Sequence, residues 1–281
     1  MSFLRKLFGQ TSGQTEPGRT ADAAQNEPVA GLPEEDQIIL CIPGPWPDRS
    51  ALIRALLTAD EDDPDYMPGG MILLDRVNGI GFGFDFQEQD DDMARAFASA
   101  ARSNMRPDEL DAFVTRIATH RSVCYLSTIE EPQSRETALA IARAAAHLVK
   151  AGGFGVKVET TGHAFAGEQW KTGGDQVDLH RLFVLDVLAD GDATYSCGMR
   201  NLGLPDAIVS GEEFQPAVHL LREFNRYQVF EDPELLDGQT FSLDADAPRF
   251  RLSLEDVQPY GDVATYVNPF GMWRLSRVTQ Q

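Results

Sequence analysis

Apolar residues follow two different periods along the first half of the chain, and this pattern predicts both strands and helices. The apolar run 38–44 ends in a Pro/Gly/Pro cluster and predicts a buried strand. Asp48 then predicts the start of a helix that ends near the acidic run 60–65. Alternating residues over 71–77 and 81–87 flank Asn78-Gly79, which favours a hairpin with a two-residue turn.

Residues 93–119 have the apolar periodicity of helices, and residues 122–159 have the pattern of a strand, a helix and a second strand. Two helices are predicted over 93–103 and from Pro107 to about Thr119. Ser134 predicts the cap of a long helix over 135–150, and Gly152-Gly153 ends it. Strands over 122–129 and 154–159 flank this helix, so 122–159 has the length of a right-handed βαβ crossover.

The second half alternates in the same way. One helix is predicted from Glu212 to Tyr227. The predicted strands cover 179–189, 193–199, 239–243, 250–257, 264–268 and 272–278.

These elements predict an α+β fold. Strands mix with helices, and hairpins occur beside a single crossover, so we expect a mixed, largely antiparallel sheet with packed helices. The order β-α-β-β-α-β over 37–129 is ferredoxin-like. We expect a single domain over 37–281, with a possible division into subdomains 37–130 and 131–281.

The first 36 residues differ from the rest. Residues 1–9 place apolar side chains on one helical face and Arg5 and Lys6 on the other, which allows a short contact with a membrane surface. Residues 10–35 hold no aromatic residue and are rich in Gln, Thr, Gly, Pro and Glu, so we predict a disordered tail over 1–36. No apolar run is long enough for a transmembrane helix.

Charge changes the picture of possible partners. The chain has 24 Lys and Arg against 44 Asp and Glu, a formal net charge of −20. Nucleic acid binding needs clustered cations, so we predict no nucleic acid partner. The same charge attracts a basic protein, although acidity also serves solubility alone. Cys41, Cys124 and Cys197 each lie in an apolar run without CxxC spacing, which favours buried thiols and a reducing, cytoplasmic compartment.

The segment 159–171 has the composition of a site. It follows the last strand of the predicted crossover, where open α/β sheets often bind ligands. It places an acid, an imidazole, an aromatic ring and a cation close together: Glu159, His163, Glu168, Trp170 and Lys171. His163 would act as a general base tuned by Glu159 or Glu168, with Trp170 and Lys171 as binding residues. The alternative is an exposed polar loop with Trp170 packed on the body.

A second unusual segment, 196–214, contains the glycines and prolines of a stiff connection between a strand and a helix. Its apolar residues either plug the core or form a recognition surface, and we favour the plug. A recognition surface would use Met199 and Asp206, together with Trp273 from the turn 268–273.

Motifs for cofactor, metal or nucleophilic chemistry are missing from the sequence. Gly79–Gly83 lacks the spacing of a phosphate loop and fits a strand. No HExxH, GxSxG or SxxK pattern occurs, and the aspartates of 60–65 lack the central glycine of a calcium loop. We therefore predict no cofactor and no metal site.

Three segments together resemble a bacterial family known as domain of unknown function 4261 (DUF4261). They are the helix-Gly-Gly-strand unit 134–159, the segment 195–209 with its GM-x4-LPD pattern, and the closing NPFGMW over 268–273. The resemblance spans roughly 37–278. It implies no reaction and no catalytic residues, and some families of this kind accompany bacterial toxins as immunity or accessory proteins.

Three functions follow as hypotheses. The first is a cytoplasmic accessory or immunity-like protein that binds a basic protein partner. The second is a hydrolase or transferase with an acid/base site in 159–171. The third is a peripheral membrane protein tethered by residues 1–9.

Overall fold

The computed structural model describes residues 37–59, 65–173, 177–256, 258 and 267–278. The predicted tail 1–36 lies outside these ranges, as does most of the predicted strand 264–268. The tethering hypothesis for residues 1–9 therefore stays a prediction. No helix within the described ranges is long and apolar enough to cross a membrane.

The secondary structure consists of strands and helices in alternating groups. The strands are β1 Ile39–Gly44, β2 Tyr66–Gly69, β3 Ile72–Asp75, β4 Ile80–Glu88, β5 Ser122–Thr128, β6 Gly155–Val158, β7 His163–Ala166, β8 Leu185–Asp190, β9 Ala193–Cys197, β10 Asp206–Ser210, β11 Thr240–Phe241, β12 Phe250–Glu255 and β13 Met272–Arg277. The α-helices are α1 Arg49–Thr58, α2 Met93–Ala101, α3 Pro107–Ile117, α4 Arg135–Lys150, α5 Leu179–Phe183 and α6 Phe214–Glu231.

The first sheet has the strand order β2-β3-β4-β5-β1-β6-β7, and every neighbouring pair is antiparallel. Strands β5 and β6 flank β1, so the predicted crossover 122–159 is a split βαβ unit with β1 between its two strands. The α+β prediction is confirmed.

The ferredoxin-like order is made by different elements from those predicted. The series β1-α1-β4-β5-α4-β6 gives the sheet order β4-β5-β1-β6, which is the split βαβ arrangement of that motif. The predicted range 37–129 makes α2 and α3 the second helix of the motif, but they are an insertion between β4 and β5. The motif therefore extends to Val158, beyond the predicted end at residue 129.

Helices cover both faces of this sheet, and the side chains of β1 alternate between the two faces. Leu40 and Ile42 face α1 and α4, whereas Cys41 between them packs with the side chains of α2 and α3. Helix α4 begins as predicted, since the Ser134 hydroxyl accepts a hydrogen bond from the backbone N–H of Thr137.

The second sheet has the order β11-β12-β13-β10-β9-β8 and is mixed. Strands β10 and β13 are parallel, and the other neighbours are antiparallel. Helix α6 packs on one face, where Leu221 and Phe224 are fully buried. Residue 130 is the predicted boundary between subdomains, and the first sheet contains strands from both sides of it. The prediction of a single domain over 37–281 stays a prediction.

A tight 3-10 turn, Met199–Leu202, connects β9 to β10 of the second sheet and packs against the core of the first sheet. Met199 and Leu202 insert into the core beside α4 and α5, so the predicted plug is confirmed. Gly198 has φ +114°, and a Cβ there would lie 2.1 Å from the carbonyl oxygen of Phe183. Only glycine allows this approach of the two backbones.

Two local predictions are wrong. Residues 179–183 form helix α5 rather than a strand, because the Asp178 carboxylate accepts a hydrogen bond from the Arg181 N–H and caps the turn. The β3–β4 connection spans four residues, since Asp75 pairs with Ile80. The Asp75 carboxylate organises it by accepting the N–H groups of Val77 and Asn78.

We predict that Gly198→Ala destabilises the protein by about 3 kcal/mol or more, because the methyl group meets a backbone oxygen and the φ value is strained. Urea denaturation measures the free energy of unfolding. The matched control is Gly191→Ala, where φ is +61° and no atom lies within 4 Å of the new Cβ. The control should lose only about 1 kcal/mol, and equal losses in the two variants would contradict this role for Gly198.

Candidate functional site

The predicted site segment 159–171 contains the edge strand β7, followed by a 3-10 turn at Gly167–Gln169. All four residues of β7 are buried. The exposed loop of the alternative is therefore wrong, whereas its packing of Trp170 on the body is confirmed. The strand was missed because glycines flank its four residues.

Side chains close the outer edge of β7. The Asn104 amide donates a hydrogen bond to the Ala164 carbonyl at 2.8 Å. On the same edge, the Ala166 N–H donates to the side-chain oxygen of Gln169 at 3.2 Å. Capping of this kind keeps an edge strand from pairing with another chain.

A cleft of about 1120 Å³, here called the β7 cleft, runs along this edge between α3 and α5. It brings together three of the five predicted residues of the segment: His163, Glu168 and Lys171. Its other polar lining residues are Asn104, Glu109, Arg116, Gln169, Asp178 and Arg181. The cleft is therefore strongly polar and carries both signs of charge.

His163 is 6% exposed, and its ring lies 4.4 Å from that of Phe165, centroid to centroid. Neither ring nitrogen has a hydrogen-bond partner within the described residues. Burial, helped by the nearby Arg181 cation, lowers the pKa of His163 to about 4. The ring is consequently neutral at pH 7, and its proton affinity is low for a general base.

Glu159 does not join His163. Val158 and His163 are cross-strand partners and share one face of the sheet, whereas the neighbouring Lys157 points to the opposite face. The Glu159 carboxylate lies 2.5 Å from the Lys157 ammonium. The sheet therefore separates the two members of the predicted acid/base pair.

Trp170 is buried in the core rather than in the cleft. Its indole N–H donates to the Ala142 carbonyl at 2.9 Å, and its ring packs edge-to-face on Phe165 and Phe183. These contacts tie the end of the segment to α4 and α5.

The three remaining predicted binding residues are also buried. Asp206 is fully buried, and its carboxylate accepts hydrogen bonds from the Ser196 hydroxyl, the Met199 N–H and the Asn268 amide. Met199 lies in the first core and Trp273 in the second. All three offer packing or internal hydrogen bonds and no ligand surface in this structure.

Sequence reasoning missed a buried network between α5, β8 and α6. The Asp186 carboxylate accepts from Asn225 at 2.9 Å and lies 3.2 Å from the His180 ring. Burial alone raises the pKa of Asp186, but the hydrogen bonds from His180 and Asn225, together with the electrostatic attraction of His180 and Arg222, hold the pKa below its usual value. The three residues share no sequence motif, so only the fold brings them together.

A second concavity of about 690 Å³, here called the α6 groove, lies between α6 and the segment 235–247. Tyr227 and Phe241 lie in its wall with ring centroids 5.8 Å apart. Tyr227 is 38% exposed. Glu223 and Asp244 add carboxylates to the same wall.

The surroundings of the α6 groove are strongly acidic. Residues 223–246 contain seven Asp and Glu and a single cation, Arg226. Arg226 lies over the ring of Phe230 and pairs with Asp178. The groove therefore joins exposed aromatic surface to an excess of negative charge.

Within the described ranges, no three His, Cys, Asp or Glu side chains lie close enough together to bind a metal ion. The comparisons with known protein families, curated proteins and solved structures found no match to this chain. The resemblance to DUF4261 therefore stays a prediction.

We predict that His163 makes stability depend on pH between about 6.5 and 4. In this window the unfolded chain protonates His163 and the folded chain does not, so the free energy of unfolding falls as the pH falls. The loss from this residue is on the order of 3 kcal/mol. Urea denaturation at several pH values should give a flatter profile for His163→Gln than for the wild type.

The control for this series is His219→Gln, because His219 lies exposed on α6. This variant leaves His163 in place, so it should keep the loss of stability that His163 causes between about pH 6.5 and 4. If His163→Gln retained the full pH dependence, a neutral buried His163 would be excluded.

Proposed function

We propose that this protein is a cytoplasmic bacterial accessory or immunity-like module that binds a basic protein partner through the α6 groove. The observation that carries the proposal is the pairing of Tyr227 and Phe241 with Glu223 and Asp244 in one concave surface. Tyrosine is enriched among the few residues that carry most of the binding energy of protein interfaces. The carboxylates around them select a cationic partner.

An arginine or lysine of the partner fits this chemistry. Its cationic group would lie against the face of Tyr227 and pair with Glu223 or Asp244. The exposed side chain of Leu243 also lines the groove and adds apolar surface beside it. Such an anchor combines a charge pair with buried aromatic area.

Net charge supports the same class of partner. A charge of −20 steers a basic protein towards this chain and raises the association rate, most strongly at low salt. It opposes contact with the phosphates of nucleic acids, so we expect no tight nucleic acid binding.

The cytoplasmic assignment rests on the thiols. Cys41, Cys124 and Cys197 are buried and unpaired, and burial raises the pKa of each well above its ordinary value. Thiols in this state are typical of a reducing compartment. The bacterial and immunity-like parts of the proposal rest on the resemblance to DUF4261.

We predict that Glu223→Gln combined with Asp244→Asn weakens partner binding about tenfold or more, because two carboxylates that face the partner's cations are lost. The substitution spares the local fold, since the side-chain oxygen of an asparagine at position 244 can still accept the N–H groups of Asp246 and Ala247 as Asp244 does. The measurement is affinity capture from the native host with the tagged full-length chain, at low and high salt, followed by mass spectrometry and titration of the captured protein.

The matched control is Asp190→Asn with Asp192→Asn. It removes the same charge from the β8–β9 turn, at the opposite edge of the second sheet from β11. The proposal expects a basic protein that is lost at high salt and lost from the groove variant only. Capture of no basic protein, or equal binding by both double variants, would overturn it.

A further inference from the structure

We propose that the β7 cleft is a second binding site, and that it takes a small organic anion with an apolar body. This site is separate from the α6 groove, which shares no lining residue with it. The ligand class follows from three features of the lining: its charge, its unpartnered polar atoms and its apolar walls.

The cleft has an excess of positive charge once the ion-pair partners of its carboxylates are counted. Glu109 lies 3.0 Å from Arg106, which also lies 3.5 Å from Asp108, and Asp178 lies 3.0 Å from Arg226. Glu168 is the lining carboxylate for which the described residues offer no ion pair. The lining holds three cations, Arg116, Lys171 and Arg181. With Arg106 and Arg226 counted, five cations stand against four carboxylates, those of Glu109, Glu168 and Asp178 and of Asp108 beside Arg106. This local excess of positive charge favours an anion over a cation inside the cleft.

Two of the cations lie over aromatic rings. The guanidinium of Arg181 lies 5.2 Å from the ring centroid of Phe165 and donates a hydrogen bond to the Gln169 carbonyl. The guanidinium of Arg116 lies 4.9 Å from the ring centroid of Phe154. Stacked guanidinium groups keep their N–H edges available for a carboxylate or phosphate head.

Unpartnered polar atoms mark the place where the ligand would bind. His163 lines the cleft, and both of its ring nitrogens lack a partner within the described residues. The side-chain oxygen of Asn104 is also buried and unpartnered, although the amide nitrogen of the same group is used by Ala164. Buried polar groups are almost always hydrogen-bonded, so these atoms indicate a polar molecule in the cleft. A neutral His163 can donate one N–H to an anion.

Apolar side chains form the rest of the wall. Met105, Phe113 and Phe165 line the cleft beside the cations. A ligand with an aromatic or aliphatic body would contact them while its acidic head meets Arg181. A bare inorganic anion would leave this surface unused.

The test uses two probes with the same ring and opposite charge, 1-naphthalenesulfonate and 1-naphthylmethylammonium, titrated into the full-length chain by calorimetry. We expect the sulfonate to bind at least tenfold more tightly than the ammonium. Lys171→Gln and Arg181→Gln should each weaken sulfonate binding several-fold. Arg54→Gln, an exposed site on α1 with the same change of charge, should leave it unchanged.

A measurement on the unmodified chain tests the proposal even if the variants fail to fold. The ring-nitrogen NMR signals of His163 should shift when the sulfonate is added, and those of His219 should not. The proposal would be overturned if the ammonium bound as tightly as the sulfonate or more tightly, or if the His163 signals did not move. It would also be overturned if neither Lys171→Gln nor Arg181→Gln weakened sulfonate binding.

Discussion

The architecture depends on one buried carboxylate, that of Asp206. A carboxylate without partners in a protein interior costs several kcal/mol, so its hydrogen bonds must be kept for the fold to be stable. Asp206 is fully buried and accepts from Ser196 on β9, from the backbone of Met199 in the 3-10 turn, and from Asn268 before β13. These donors come from two stretches of chain, residues 196–199 and the segment before β13. Their convergence fixes the turn that inserts Met199 into the first core, and it therefore sets how the two sheets meet.

Both candidate sites lie beside elements that this joint positions. Helix α5 packs against the 3-10 turn and also contacts α6. The Asp186 network and the Asp178–Arg226 pair, 3.0 Å apart, tie α5, β8 and α6 together. Because α5 borders the β7 cleft and α6 borders the α6 groove, the geometry of each site rests on the same buried polar contacts. The distinctive GM-x4-LPD pattern has a structural role, since Met199 and Asp206 are buried. The exposed surfaces that are available to partners carry no recognisable motif.

Local signals in the sequence predicted the fold well where the cause of the structure is local. Ser134 caps α4 as expected, because a hydroxyl before an apolar stripe can act only on its own turn. Sequence reasoning failed at one local signal and at two arrangements that the tertiary fold decides. Residues 179–183 continue an apolar run that is typical of a strand, yet capping by Asp178 makes them helical, and the Asp before the run was the available signal. Glu159 and His163 are four positions apart, but the turn between β6 and β7 places them on opposite faces of the sheet. The groove pairs Tyr227 with Phe241, and their proximity arises only from the packing of β11 against α6.

The central claim is that the α6 groove is the surface that meets a basic partner. Hydrogen–deuterium exchange on the full-length chain, with and without the captured partner, tests it most directly because it maps the contact without altering the protein. The claim predicts slower exchange in the partner-bound state over residues 219–247, on the exposed side of α6 and the segment that follows it, with α2 and α3 unchanged. Protection confined to α2, α3 or the first sheet, with residues 219–247 exchanging at the free rate, would contradict it.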